Sequence, residues 1–382
     1  MERSIGRLAA VVLTASATVA AAQEGAPKVG DQVVLKDPTA TVTLGDRTVA
    51  KGDESRVFRV VKIGQQLMFV ASGERRGWAK PADLVPVDQE IEAVEKALDD
   101  RPNSALFARR GLLLAGKGDY DRAIVAYEQA LKGAPRSAPL YAGRAAVYFA
   151  KGEDDRALAD FDDAARFGDD AGDTATVARA LHGRGNVLVH KGDIEGAIGY
   201  YTESLQRDSK AARVFLDRSA AFDAVKRYDR ALQDVDAALK LDPNDPIAHY
   251  DRGVYRLGLR DYDRALVDFD RAIQLDPDYA PSHGARALIL AAAPDPKLRD
   301  GKGAVEAAKR ACDLTDSKEY HLLADRAAAH AEAGDFAAAV KDQRRSIELA
   351  TAANLPAPAL DLARDRLTLY NAKKPFRLPP AK

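Results

Sequence analysis

PIAHYDRGVYRLGLRDYDRALVDFDRAIQLDPDY, residues Pro246 to Tyr279, is one period of a 34-residue pattern that recurs from about Ser104 to Ala353. Within it Gly253 falls on a first helix, Tyr262 follows a turn, and Ala265, Phe269, Ala272 and Ile273 recur at helical spacing on a second. Pro277 then stops that second helix. Small residues let two antiparallel helices approach closely, and the aromatics fill the space between successive hairpins. The same offsets return as Gly111, Tyr120, Ala123, Tyr127, Ala130, Leu131 and Pro135. They return again as Gly185, Ala197, Tyr201 and Leu205, and as Tyr228, Ala231, Ala238, Leu239 and Pro243. A chain built this way stacks helical hairpins into a solenoid.

The order Gly, aromatic, Ala-x3-aromatic, Ala, Pro resembles the tetratricopeptide (TPR) repeat. That resemblance implies a mainly α, right-handed solenoid of about seven hairpins that works through protein–protein contacts. Repeats are expected over 104–137, 138–171, 178–211, 212–245, 246–279, 280–316 and 320–353, so that the array spans 104–353. A half-repeat helix over 88–103 caps its start, and a helix over 354–372 covers its last apolar edge, followed by a tail over 373–382. Gly168 to Asp173 reads as an inserted acidic loop. Pro294 to Gly301 reads as an enlarged turn, similar to an insert of some exported bacterial TPR proteins.

Around this array the whole chain sets few other limits. Its 382 residues exceed one compact core. The balance of 57 basic against 58 acidic side chains gives no global field for nucleic acid or an anionic membrane. Residues 1–22 read as an export signal: Arg3 and Arg7, then the apolar run Leu8 to Ala22 ending in Ala20-Ala21-Ala22. The run is shorter than the roughly 20 residues of a membrane span, with an uncleaved anchor as the alternative to cleavage. No cysteine follows the cleavage site, so no lipid anchor is expected, and the expectation is a periplasmic or cell-envelope protein with no membrane insertion after cleavage.

Residues 27–87 change character. Gln32 to Leu35, Arg56 to Val61 and Leu67 to Val70 are β-rich runs separated by Gly-Asp, Gly-Gln and Ser-Gly turns, and five strands closing into a small barrel are expected. Gly77-Trp78-Ala79 to Pro86 resembles the closing strand and helical turn of bacterial SH3-like domains, which would bury Trp78 as a packing aromatic and leave Arg75 and Arg76 solvated.

One recurrence exceeds the repeat signature. Arg110, Arg144, Arg184, Arg218, Arg252, Arg286 and Arg326 share one slot at spacings of 34 or 40. Asp160, Asp234, Asp268 and Asp342 each follow an arginine by 16 residues. In an antiparallel hairpin the two slots lie at equal height, each about 12 Å from the turn. Pairing that sets repeat register is the expectation, because an unpaired charge at a helix seam is costly; a cationic track is the rival. Arg110, Arg184 and Arg286 face Ala126, Tyr200 and Ala307 at the matching slot and are expected to be freer.

First helices line the inner wall of a TPR solenoid, so their inward slots form the expected groove. These are Arg179, His182, Asn186, Val189 and His190, then Arg213, Leu216, Ala220 and Asp223, then Ile247, Tyr250, Val254 and Leu257. Their mixture suits a peptide segment or a partner helix. A clamp for a terminal carboxylate is not supported, since the early repeats carry Ala108, Leu112, Ala142 and Ala146 in its slots.

No catalytic constellation emerges. Gly111 to Lys117 approaches a phosphate-binding loop but is followed by Gly118, with no strand before it. His182 and His190 are too far apart to ligate one metal ion directly, while His249 and His283 occupy a packing slot. Cys312 reads as a buried small hydrophobe. No cofactor, metal or enzymatic activity is expected. The function expected is an exported protein-binding scaffold with an SH3-like second contact. The alternative is a cell-envelope accessory that binds glycan or wall peptide through the barrel, with the repeats as spacer.

Overall fold

The computed structural model describes residues 27–35, 41–44, 47–51, 57–63, 68–72, 75–80 and 84–380. The expected export signal lies outside these residues, as do the side chains of Arg75, Arg76 and Trp78. The described chain divides into two compact units, the first ending at Val225 and the second beginning at Lys226.

The first unit opens with seven antiparallel strands: β1 (Gln32–Leu35), β2 (Thr41–Leu44), β3 (Arg47–Lys51), β4 (Val57–Ile63), β5 (Met68–Ser72), β6 (Arg75–Ala79) and β7 (Leu84–Pro86). They form one sheet in the order β3-β2-β6-β5-β4-β1-β7. Five strands were expected. Beyond the three β-rich runs named from the sequence, β2, β3, β6 and β7 complete the sheet among the described residues, and β2 and β7, with four and three residues, are too short to show a clear period. Trp78 sits in β6, its backbone opposite Phe69 of β5 and Thr43 of β2.

Pro86 ends β7 and α1 (Val87–Asp100) begins at once. Val34, Val87, Ile91 and Val94 enter the same apolar cluster as Leu113, Leu114 and Tyr127 of the helices beyond, so sheet and helices share a core. Those helices run α2 (Ser104–Lys117), α3 (Tyr120–Gly133), α4 (Ala138–Lys151), α5 (Asp154–Ala171), α6 (Thr174–Lys191), α7 (Ile194–Arg207) and α8 (Ala212–Ala224). Asp119 and Asp193 cap α3 and α7 by accepting from the amides of Arg122 and Gly196, a contribution of about 1 kcal/mol each. Gly118 ends α2 at φ 84°, where an L side chain would be strained.

Close approach between first helices depends on missing side chains. A Cβ at Gly111 of α2 would stand 2.8 Å from the Tyr127 ring, and one at Gly143 of α4 would stand 2.7 Å from its other edge. Tyr127 is thereby held between two successive hairpins.

The acidic insert is not a loop. Its extra residues lengthen the helices on either side of it, the second of one hairpin and the first of the next, so α5 and α6 each have 18 residues where α2, α3 and α4 each have 14. Helix continues because the added carboxylates find cations on neighbouring hairpins: Asp170 takes Arg136 at 2.7 Å and Asp169 takes Arg207 at 2.6 Å.

The second unit comprises α9 (Tyr228–Leu241), α10 (Pro246–Gly258), α11 (Tyr262–Leu275), α12 (Ala280–Ala292), α13 (Gly301–Leu314), α14 (Tyr320–Glu332), α15 (Phe336–Ala352) and α16 (Ala357–Asn371). Between α12 and α13 the enlarged turn forms a single 3-10 turn, Pro296–Leu298. Arg299 straps it down, donating to the Ala293 and Pro294 carbonyls at 2.9 and 3.1 Å and to Glu332 Oε1 at 3.0 Å. Asp268, Phe269 and Ala272 are buried on one face of α11, and exposed Val267 lies on another.

Candidate functional site

The arginine slot lies where each first helix meets second helices. Arg144 makes a two-pronged pair with Asp160, Nε to Oδ2 at 2.7 Å and a terminal nitrogen to Oδ1 at 2.9 Å. Arg326 and Asp342 repeat it at 2.7 and 2.8 Å. Arg252 pairs with Asp268, which is 1% exposed, and Arg256 donates to the same carboxylate at 2.7 Å. Burial by itself would raise the Asp268 carboxyl; the neighbouring His249 ring, the hydrogen bonds from Arg252 and the nearby Arg256 outweigh it and hold the group below the usual carboxylate range.

Arg110, Arg184 and Arg286, expected to be freer, are paired. Arg110 meets Glu95 at 3.2 Å, Arg184 meets Asp162, and Arg286 meets Asp270 at 2.7 Å. Their carboxylates come from the preceding second helix, a slot on the other side of the seam. Arg252 uses both slots at once, reaching Asp236 at 2.9 Å in addition to Asp268. Arg218 donates to Thr202 at 2.9 Å, again in the preceding slot. Asp234 is buried.

The inward slots divide between the units. In the first, α6 and α8 converge on Asp217, a residue absent from the expected groove. His182 Nε2 lies 2.7 Å from Asp217 Oδ2, and Arg213 donates to both carboxylate oxygens at 3.0 and 2.9 Å. Burial pushes the Asp217 carboxyl up, but His182 and Arg213 pull harder, and it stays below its ordinary range as a carboxylate. Beside it the Tyr201 hydroxyl donates to Asn186 Oδ1 at 2.7 Å, and the Tyr201 ring lies 5.7 Å from that of His182.

Other expected residues stand apart from this cluster. Arg179 donates to Thr176 at 2.8 Å on its own helix. His190 reaches Asp154 at 2.7 Å and sets its ring edge-on to Phe149. Leu216 and Asp223 are half-buried on α8, and Leu216 offers its carbonyl to Ser219. Val189, 39% exposed, is an apolar side chain open to solvent on α6. Asp217 had a legible signal: an acid directly before the slot arginine, repeated at Asp251-Arg252 and Asp325-Arg326.

In the second unit Tyr250 sets its ring 5.8 Å from Phe269 and 5.4 Å from Tyr279. Val254 and Leu257 border the cluster of Tyr262, Ala265, Phe269, Ile289 and Ala293. Leu298 from the enlarged turn and Leu378 from the segment after α16 border the same cluster. His249 and His283 each lie within hydrogen-bonding distance of a proline carbonyl six residues earlier, at 3.0 Å to Pro243 and 2.9 Å to Pro277, where the ring N–H donates. The Tyr141 hydroxyl does the same with Pro135 at 3.3 Å, so this slot anchors the start of its first helix.

Cys312 is fully buried, and burial pushes its thiol up to about 11, which suppresses the thiolate. Among the described residues no group of three or more His, Cys, Asp or Glu side chains is placed to hold a metal ion. No described helix is long and apolar enough to cross a membrane.

Stacked antiparallel hairpins with glycine–aromatic contacts define a tetratricopeptide-type α-solenoid, and the comparisons agree. Tetratricopeptide repeat models match residues 114–179 and 219–292, and the chain carries tetratricopeptide repeats. A small glutamine-rich tetratricopeptide repeat-containing protein 2 from Saccharomyces cerevisiae is 34% identical over 24% of this chain. Tetratricopeptide repeat protein 28 from Homo sapiens is 38% identical over 18% of it. The chain spans 25% of the yeast protein's length and 3% of the human one's. The crystal structure of the APC/C hetero-tetramer Cut9-Hcn1 superposes with a TM-score of 0.54 at 15% identity, covering 74% of this chain and 52% of its own. That likeness is one of fold. Tetratricopeptide repeat proteins act as protein–protein interaction scaffolds that bind protein or peptide partners.

Proposed function

We propose that this chain is a non-enzymatic, exported scaffold that binds a peptide segment or partner helix on the inward faces of its first helices. Residues 1–22 would direct export. Residues 27–87, read as an SH3-like module, would add a second contact and raise avidity where both reach one partner. Residues 104–353 form the working array, with 88–103 and 354–372 as its ends.

The observation that carries this reading is the polar cluster on α6 and α8. Asp217 is held as a carboxylate between His182 and Arg213, and Arg213 stays 55% exposed; Val189, further along α6, is open to solvent. Hairpin stacking needs none of these groups, because the glycine–aromatic contacts and the arginine slot already supply it. The exposed cation of this cluster offers a partner charge, and the open valine on the helix that carries His182 offers apolar area.

The test places a photo-crosslinking amino acid at Val189 in the full chain and, as control, at Val125, which is 53% exposed on the second helix α3. In the native envelope fraction a defined partner should be captured from Val189, not from Val125, and Arg213→Glu should abolish the capture. Equal capture from both positions, or capture indifferent to Arg213→Glu, would refute the inner-face reading.

A further inference from the structure

Two features of the second unit have no part in the repeat signature: the enlarged turn before α13 and the segment after α16. The structure brings them together. Lys373 takes a left-handed turn at φ 54°, and the chain then runs as Pro375-Phe376-Arg377-Leu378-Pro379-Pro380 without regular secondary structure. Three prolines in six residues hold such a segment extended and lower the entropy it loses on docking.

It docks as a bound peptide would. The Leu378 amide donates to the Ala292 carbonyl at 2.8 Å. The Tyr262 hydroxyl donates to the Pro379 carbonyl at 2.6 Å, and Arg260 donates to that of Pro380 at 3.3 Å. Those contacts read the backbone, and the side chains are read separately. Phe376 packs into the alanine-lined clusters of α12 and α14 and lies under Arg366, whose guanidinium is 4.1 Å from the ring centroid. Arg377 pairs with Glu332 at 2.7 Å, the carboxylate that also holds Arg299 of the enlarged turn. Leu378 enters the cluster bordered by Val254, Leu257 and Leu298. The segment therefore lies against three successive hairpins.

We propose that Phe376 to Pro380 is a ligand held in cis, that this wall binds an extended partner segment of aromatic–basic–aliphatic–proline chemistry, and that such a partner enters by displacing the resident segment. Main-chain contacts give affinity to any extended chain, while the alanine-lined recess, the Glu332 carboxylate and the Val254–Leu298 cluster select the three side chains. The proposal rests on the scaffold reading above and names both the ligand class and the control of that function. A tether of a few residues keeps the cis segment at a local concentration on the order of 1 mM. A free peptide with an intrinsic dissociation constant of about 10 μM would then bind the closed chain roughly 100-fold more weakly than an opened one.

The probe is a fluorescent peptide of residues 373–382, titrated into the full chain and into the full chain carrying Phe376→Ser with Leu378→Ser. The opened variant should bind at least tenfold more tightly, and a peptide whose arginine is replaced by glutamine should bind it about tenfold more weakly. Equal binding to both chains, or to neither, refutes the proposal and reduces the segment to a structural latch. Should the double variant lose its helical circular dichroism, hydrogen exchange in the unaltered chain decides. Millimolar peptide should accelerate exchange over 376–378 while α12 stays protected, and unchanged exchange over 376–378 refutes displacement. Crosslinking from Val189 concerns the first unit, so either result can fail while the other stands.

Discussion

Asp268→Ala tests whether the arginine slot is structural. Asp268 is 1% exposed and accepts from Arg252 at 2.8 and 3.1 Å and from Arg256 at 2.7 Å. Alanine removes the carboxylate and leaves two guanidinium groups, each 21% exposed, facing an apolar seam. Breaking a buried pair by deleting one partner costs about 3–5 kcal/mol. Partial exposure of both arginines and the surviving Arg252–Asp236 contact reduce that to roughly 2–3 kcal/mol. At roughly 2–4 °C per kcal/mol for a unit of this size, the melting transition of the second unit should fall by roughly 4–12 °C. Scanning calorimetry would report it, with Asp278→Ala, removed from an exposed pair with Arg310, as a control that moves Tm by less than about 1 °C. Because the Asp268 carboxyl is held below its usual range, its stabilisation is present above pH 4 and disappears as pH falls through the folded value, so the difference between the two proteins should shrink in acid. An Asp268→Ala Tm within 2 °C of the parent at pH 7, accompanied by loss of a partner, would show that the slot serves binding instead of register.

Gly253→Ala should destabilise the second unit by about 1–3 kcal/mol in urea melts, because its Cβ would stand 2.5 Å from the Phe269 ring; a shift below 0.5 kcal/mol would mean that the seam is loose. Burial pushes the Asp325 carboxyl up to about 7, with Arg366 pulling it back, so its favourable contribution is complete below about pH 4 and lost as pH rises through 7. Asp325→Asn should therefore leave Tm nearly unchanged below pH 4, raise it modestly at pH 5 and raise it by several degrees at pH 8, and a gain of equal size at all three values would contradict this. Cys312, buried with its thiol pushed up to about 11, should react with a thiol reagent at pH 8 only as fast as the second unit opens, a rate that urea should accelerate.

Hairpin identity was legible because small and aromatic residues recur at fixed helical offsets: Gly253 needs Phe269 opposite, and both are visible in one line of sequence. The inner wall was harder to read. Counting inward slots reached His182 and Arg213 but not Asp217, since its role comes from two helices meeting across a seam. The second acid slot was missed for a similar reason. Asp162 and Asp270 serve arginines of the following hairpin, and a search confined to one repeat assigns them to solvent. Acids at Asp169 and Asp170 suggested a loop because charge runs often mark turns, yet Arg136 and Arg207 on neighbouring hairpins let helix continue. The docking of Phe376 to Pro380 has no local signature at all, because it depends on where α16 delivers the chain.

The shared arginines also bear on how the molecule would come apart. Arg252 spends its guanidinium on carboxylates from two different hairpins, so melting either one strands a charge belonging to the other. Fraying that would otherwise advance one hairpin at a time should instead proceed in blocks, with riveted neighbours letting go together.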